Sequence, residues 1–171
     1  AFPEERKAVV EGFKKIIEEK GLEFDVIGGT ATAAIPWAAF LAYDLGVPMI
    51  YIRPEKKEHG AGKQIEGHLE SGQKVLIVED LISTGGSSVK AAEAVREEGG
   101  CTVDEILAIV TWEMPKAIDR FEEAKIELHT LTDYTNIIGL AAEQGLIPED
   151  QLETVLEFKQ DPPAWGEKHG F

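Results

Sequence analysis

The sequence predicts an α/β protein: a central, mainly parallel sheet flanked by helices. Three observations carry that expectation. Short apolar runs rich in β-branched residues recur at 23–27, 48–53, 75–79, 102–110 and 126–131. The run at Val75–Val78 is continuous rather than alternating, as in a parallel strand covered on both faces. Between them stand amphipathic stretches at 3–20, 36–46, 86–98 and 115–124, and strands alternating with helices give right-handed crossovers and a parallel sheet. The length of 171 residues with 43% hydrophobic content suits one core, so one domain over 1–171 is expected.

The elements follow in order. Pro3 suits a first helical turn, Val9, Phe13, Ile16 and Ile17 form one stripe, and Gly21 stops the helix. The strand at 23–27 runs into Gly28-Gly29-Thr30-Ala31-Thr32-Ala33-Ala34. That small-residue turn serves either as an anion cradle or as tight contact of helix on strand. Pro36 opens a helix ending near Gly46, with Trp37, Phe40 and Leu41 as its bulk. After the strand at 48–53 comes the most basic stretch of the chain, Arg53 to Lys63, polar and glycine-bearing. Past the helix at 115–124 and the strand at 126–131, Thr132 or Asp133 caps a helix through Ala142, and Pro148 begins another whose Leu152, Val155 and Leu156 share a face. From about residue 161 two prolines and no periodicity predict a loose tail.

Composition removes several function classes. A net charge of −15 argues against non-specific nucleic-acid binding, which needs basic patches. An anionic substrate requires local Lys, Arg or Mg²⁺ to override that field. The lone Cys101 permits no internal disulfide and reads as a small buried apolar residue, in keeping with a reducing cytoplasm. No run of 18 apolar residues and no signal peptide is present, so a soluble, cytoplasmic protein without a membrane partner is expected.

The chemistry concentrates in Val75-Leu76-Ile77-Val78-Glu79-Asp80-Leu81-Ile82-Ser83-Thr84-Gly85-Gly86-Ser87-Ser88. An apolar strand ends in two carboxylates, and a Ser/Thr/Gly turn then opens a helix. Strand, small-residue turn and helix N-terminus gather backbone N–H groups around an anion, with phosphate the usual one. Glycines let the backbone approach closely, and the hydroxyls of Ser83, Thr84 and Ser87 add donors. Glu79 and Asp80 are poor neighbours for a bare phosphate and suit sugar hydroxyls or a hydrated cation. The turn is neither a Walker loop nor a GxGxxG fingerprint. Just upstream, the basic loop fits a lid that brings cations to a bound phosphate.

The strand and loop resemble the phosphoribosyl-pyrophosphate (PRPP) signature of type I phosphoribosyltransferases. Arg53, Lys57, His59 and Gly60 resemble the catalytic loop of orotate phosphoribosyltransferase. The likeness continues in Gln64-Ile65-Glu66-Gly67, in Gly29-Thr30-Ala31-Thr32-Ala33 and in Leu131-Thr132-Asp133-Tyr134. It implies the type I phosphoribosyltransferase fold and transfer of ribose 5-phosphate from PRPP to orotate. It further implies Mg²⁺ held mainly through PRPP, with no direct protein ligand, and a homodimer in which Arg53, Lys57 and His59 serve the neighbouring subunit. Residue by residue, PRPP binding falls to Arg53, Lys57, His59, Glu79, Asp80, Leu81, Ile82, Ser83, Thr84, Gly85, Gly86 and Ser87. Lys57 and Asp80 are the expected catalytic residues, and Ser83 the expected orotate contact. Two departures touch the base site. The family's N-terminal hood over the base is not in this sequence. Ala33 and Val110-Thr111-Trp112 also lack the lysine and arginine that some relatives carry there. A purine phosphoribosyltransferase is the nearer alternative, though it is not expected to keep the Lys-x-His-Gly lid. A PRPP-sensing regulator would need a basic surface, which a charge of −15 does not supply.

Overall fold

A computed structural model describes residues 2–55 and 63–170. Its six-stranded sheet has the order β3-β2-β1-β4-β5-β6. The strands are β1 (Val26–Thr30), β2 (Met49–Ile52), β3 (Ile65–Glu66), β4 (Val75–Ile82), β5 (Glu105–Thr111) and β6 (Glu127–Asp133). All neighbours pair in parallel except β3, which is antiparallel to β2. The helices are α1 (Pro3–Lys20), α2 (Ile35–Leu45), α3 (Gly86–Gly99), α4 (Pro115–Ala124), α5 (Tyr134–Glu143), α6 (Leu152–Glu157, after a 3₁₀ turn at Glu149–Gln151) and α7 (Pro162–His169). Among the described residues, no helix is long and apolar enough to cross a membrane.

Central β4 shows why its sequence reads as an unbroken apolar run. Leu76 and Val78 face a cluster with Phe13 of α1 and Leu41 of α2, while Val75 and Ile77 face one with Val95 of α3 and Phe121 of α4. Alternate side chains leave a strand on opposite faces, and here both faces are covered.

Three boundaries differ from expectation. Strand β4 continues past Val78 and Glu79 because Leu81 and Ile82 still pair with Val110 and Thr111 of β5. Strand β1 likewise runs through Gly28-Gly29-Thr30, paired on one side with β2 and on the other with β4. The third difference overturns the loose tail: residues 162–169 form α7. Asp161 caps it by accepting from Ala164 N–H, and Pro162 opens the first turn. Trp165 then meets Phe158 edge-to-face at 5.4 Å and donates its indole N–H to Thr154 O at 2.7 Å. The two prolines open this helix rather than mark a loose segment.

Candidate active site

Parallel strands deliver their carboxyl ends to one edge of the sheet, which is where ligands sit in such folds. Here β1 delivers Thr30 and Ala31, and β4 delivers Asp80, Leu81 and Ile82 followed by the Ser83-Thr84-Gly85 turn into α3. Ser83 and Thr84 are half-buried and Ser87 is exposed, so all three hydroxyls stand at or near the surface.

Gly85 has φ +72°, the left-handed region that glycine adopts without steric cost. A Cβ there would lie 3.0 Å from Phe121 Cε2 and 3.5 Å from Ala117 Cα. Its hydrogen therefore faces α4, and the need for glycine at 85 comes from the turn and from α4, not from close approach of a ligand on that side. Gly29 behaves similarly: a Cβ would lie 2.8 Å from Ala38 Cβ and 3.1 Å from Ile35 Cα. Of the two readings of the first small-residue turn, tight contact of helix on strand accounts for Gly29, while Thr30 and Ala31 line the cleft.

The adjacent carboxylates have different surroundings. Glu79 is 5% exposed. Its oxygens accept from Ser88 Oγ at 2.7 Å and from Thr30 Oγ1. Burial pushes its carboxyl above the usual carboxylate range, hydrogen bonds from Thr30 and Ser88 oppose that, and the Asp80 charge adds to it. Glu79 thus ties β1 and α3 to β4 from inside. Asp80 is half-buried at the strand end and makes no hydrogen bond or ion pair among the described residues. It is the open carboxylate of the two. Leu81 is 38% exposed, whereas Ile82 is 1% exposed and its carbonyl accepts from Trp112 N–H at 2.8 Å. The side chain of Ile82 belongs to the core and has no face on the cleft.

A cleft of about 440 Å³ runs from the β1 end across the N-terminus of α3, lined by Thr30, Arg53, Glu55, Ser87, Lys90 and Arg120 among others. Three cations against one carboxylate reverse, locally, the sign of a chain carrying −15. Arg53 is steadied by Glu66 Oε1 at 3.5 Å and by Gln64, whose amide donates to Arg53 O at 3.0 Å. Gly86 and Ser87 line this cleft; Asp80, Ser83 and Thr84 do not. Lys57 and His59 lie outside the described residues. Sequence reasoning missed Thr30, Ser88, Lys90 and Arg120 as site residues. Ser88 sits in the motif and was legible there, but nothing in the spacing of α4 announces that Arg120 reaches the loop.

At the end of β5, Trp112 is held in an aromatic group with Tyr134 at 6.1 Å and Phe158 at 5.6 Å. Glu113, at φ 54°, accepts from Thr135 N–H at 2.8 Å and Lys159 Nζ at 2.9 Å, and also from Thr135 Oγ1. Burial raises the Glu113 carboxyl, but those donors outweigh it and hold it below the usual range. This network fastens the C-terminal helices to the same edge of the sheet.

Residues 2–143 match the family model described as phosphoribosyl transferase domain. Over 166 residues the chain is 47% identical to the orotate phosphoribosyltransferase of Enterococcus faecalis, covering 97% of this chain and 79% of that enzyme. The chain belongs to the orotate phosphoribosyltransferase family. Among solved structures, the chain superposes on orotate phosphoribosyltransferase from Aeropyrum pernix with a TM-score of 0.71 and 28% identity, covering 83% of this chain and 77% of that one. Against UMP synthase of Leishmania donovani the TM-score is 0.73 with 26% identity, over 90% of this chain and 32% of that one. The type I phosphoribosyltransferase fold expected from the signature is therefore the fold of this chain.

Proposed function

We propose that this enzyme, a pentosyl-transferring glycosyltransferase of pyrimidine biosynthesis, moves the 5-phosphoribosyl group of PRPP to orotate, giving orotidine 5′-monophosphate and pyrophosphate. One observation carries the reading. The acidic end of β4 and the Ser83–Ser87 loop converge on the N-terminus of α3, beside a cationic cleft, in a chain 47% identical over 97% of its length to an orotate enzyme.

The roles follow from charge. As the bond from ribose C1 to pyrophosphate breaks and orotate N1 bonds to C1, positive charge builds on the ribose and negative charge on the leaving group. Catalysis needs cations preorganised at pyrophosphate and fixed negative charge near the sugar. Arg53, Lys57 and His59 supply the first. Asp80, the open carboxylate, faces the sugar; Glu79 holds Thr30 and Ser88 beneath it. The loop at 83–87 takes the 5-phosphate on its N–H and hydroxyl donors, and Ser83, which follows β4, contacts orotate. Mg²⁺ suits a site whose free protein donor is a carboxylate oxygen, since it prefers hard oxygen ligands and keeps several waters. It would be held mainly through PRPP, with no direct protein ligand, and would offset charge on the pyrophosphate. Excluding water protects the activated ribose from hydrolysis. The working unit is a cytoplasmic homodimer in which Lys57 and His59 serve the neighbouring subunit, while Arg53, which the resemblance also gives to the neighbour, lines its own chain's cleft.

Orotate absorbance followed after addition of PRPP and Mg²⁺ tests the reaction. Orotate is expected to be consumed, with uracil and adenine inert as controls. Consumption of adenine with orotate untouched would replace this reading by a purine one.

A further inference from the structure

Strand β4 and helix α3 grip the phosphate loop from its two ends, and α4 grips it from behind. The residues that do so are Ala117, Arg120 and Phe121, spaced i, i+3, i+4 on one helix face. Ala117 and Phe121 are 2% and 4% exposed and lie beneath Gly85. Arg120 is exposed at the rim: a Cβ on Gly86 would lie 2.9 Å from its Nη1, and the same Nη1 donates to Thr84 O at 2.7 Å. Arg120 also lines the cleft with Thr30, Arg53, Ser87 and Lys90.

That contact has two physical consequences. In a trans peptide the carbonyl and the following N–H point in opposite directions. Holding Thr84 C=O toward Arg120 therefore turns Gly85 N–H away from the guanidinium and fixes one of the loop's donors. The carbonyl oxygen, whose partial negative charge would oppose an anion, is at the same time neutralised by a permanent cation. Arg120 makes no ion pair among the described residues, so its guanidinium stays available to the loop and the cleft, although Glu93 and Glu123 share the adjoining hollow with it. Arg96 is the contrast: partly buried, it donates to Ala124 O at 2.9 Å and Val103 O at 2.5 Å and does not line the cleft. We propose that Arg120 is a positioning residue for the phosphate loop and adds a cation to the field that draws PRPP into the cleft, a role that rests on the orotate phosphoribosyltransferase reading above.

The test compares wild type with Arg120→Gln, Arg120→Ala and Arg120→Lys. PRPP affinity is read by calorimetry with Mg²⁺, and kcat and both KM values by orotate consumption. Losing a charged hydrogen bond predicts about 10-fold or greater weakening of PRPP in Arg120→Ala. The KM for orotate and the melting temperature should stay near wild type. Arg120→Gln keeps a donor without charge and Arg120→Lys keeps charge without the fork, so both should fall between. Unchanged PRPP affinity in folded Arg120→Ala overturns the proposal. So does a parallel rise of both KM values with a lowered melting temperature, which marks a merely structural arginine. Calorimetry needs no base, so a wild type that bound PRPP but left orotate untouched would count against the reaction assigned above and leave the Arg120 comparison intact.

Discussion

Asp80→Asn is expected to slow orotate consumption by about 10²- to 10³-fold, the scale of removing one preorganised charge interaction from a transition state. PRPP affinity should change far less, because the carboxylate matters most once the ribose becomes cationic. The expectation singles out Asp80 because Glu79 already accepts from Thr30 and Ser88, whereas Asp80 has no partner among the described residues. The same variant tests whose site Lys57 serves. Lys57→Ala removes a cation facing pyrophosphate, and each variant alone is expected to be nearly inert. In a mixed dimer, one site has an intact Asp80 from its own chain and an intact Lys57 from the other. Statistical mixing makes about half the dimers mixed, each with one complete site, so roughly a quarter of wild-type activity returns after the two are unfolded and refolded together. A mixture whose subunits demonstrably exchange but which stays as inactive as its parents would place each Lys57 in its own chain's site.

The second large effect is expected at Gly85. Valine there must take φ +72°, and its Cβ would press to 3.0 Å from Phe121 Cε2. A β-branched residue in the left-handed region is strained by about 1–3 kcal/mol before the clash is counted. The loop escapes by moving, which misaims its N–H groups. At ~2 kcal/mol or more, PRPP binding weakens about 30-fold or more, since each 1.4 kcal/mol is tenfold. Calorimetry on Gly85→Val with an unaltered circular-dichroism spectrum decides it. Wild-type PRPP affinity in that folded variant would mean that the turn at 83–87 does not hold the phosphate.

Much of this was legible in the sequence because local signals and tertiary demands agree. The run Val75 to Val78 reads as a strand buried on both faces, and it is one. Pro115 to Ala124, opened by its proline, is α4 with those bounds, and Asp133 caps α5 by accepting from Asn136 N–H. What stayed hidden depends on partners distant in sequence. Nothing local says that Glu79 turns inward, because that follows from Thr30, 49 residues away, and from Ser88 on α3. Strand β3 has only two residues, too few for a period. Arg120 reaches Thr84 across 36 residues, so its place beside the loop is a consequence of α3–α4 contact and of nothing in its own helix. The basic loop was legible from its composition and from the likeness of Arg53, Lys57, His59 and Gly60 to a family lid, and Lys57 and His59 lie outside the described residues.

The central claim is that the turn from Ser83 to Ser87 cradles the phosphate of PRPP. Backbone amide resonances of this 18.7 kDa chain, followed while PRPP and Mg²⁺ are titrated in, test it most directly. The account predicts that the N–H signals of Ser83, Thr84, Gly85, Gly86 and Ser87 shift together, saturating with the affinity that calorimetry gives, while those of the distant α1 stay still. Saturable PRPP binding that leaves these five amides unmoved would contradict it.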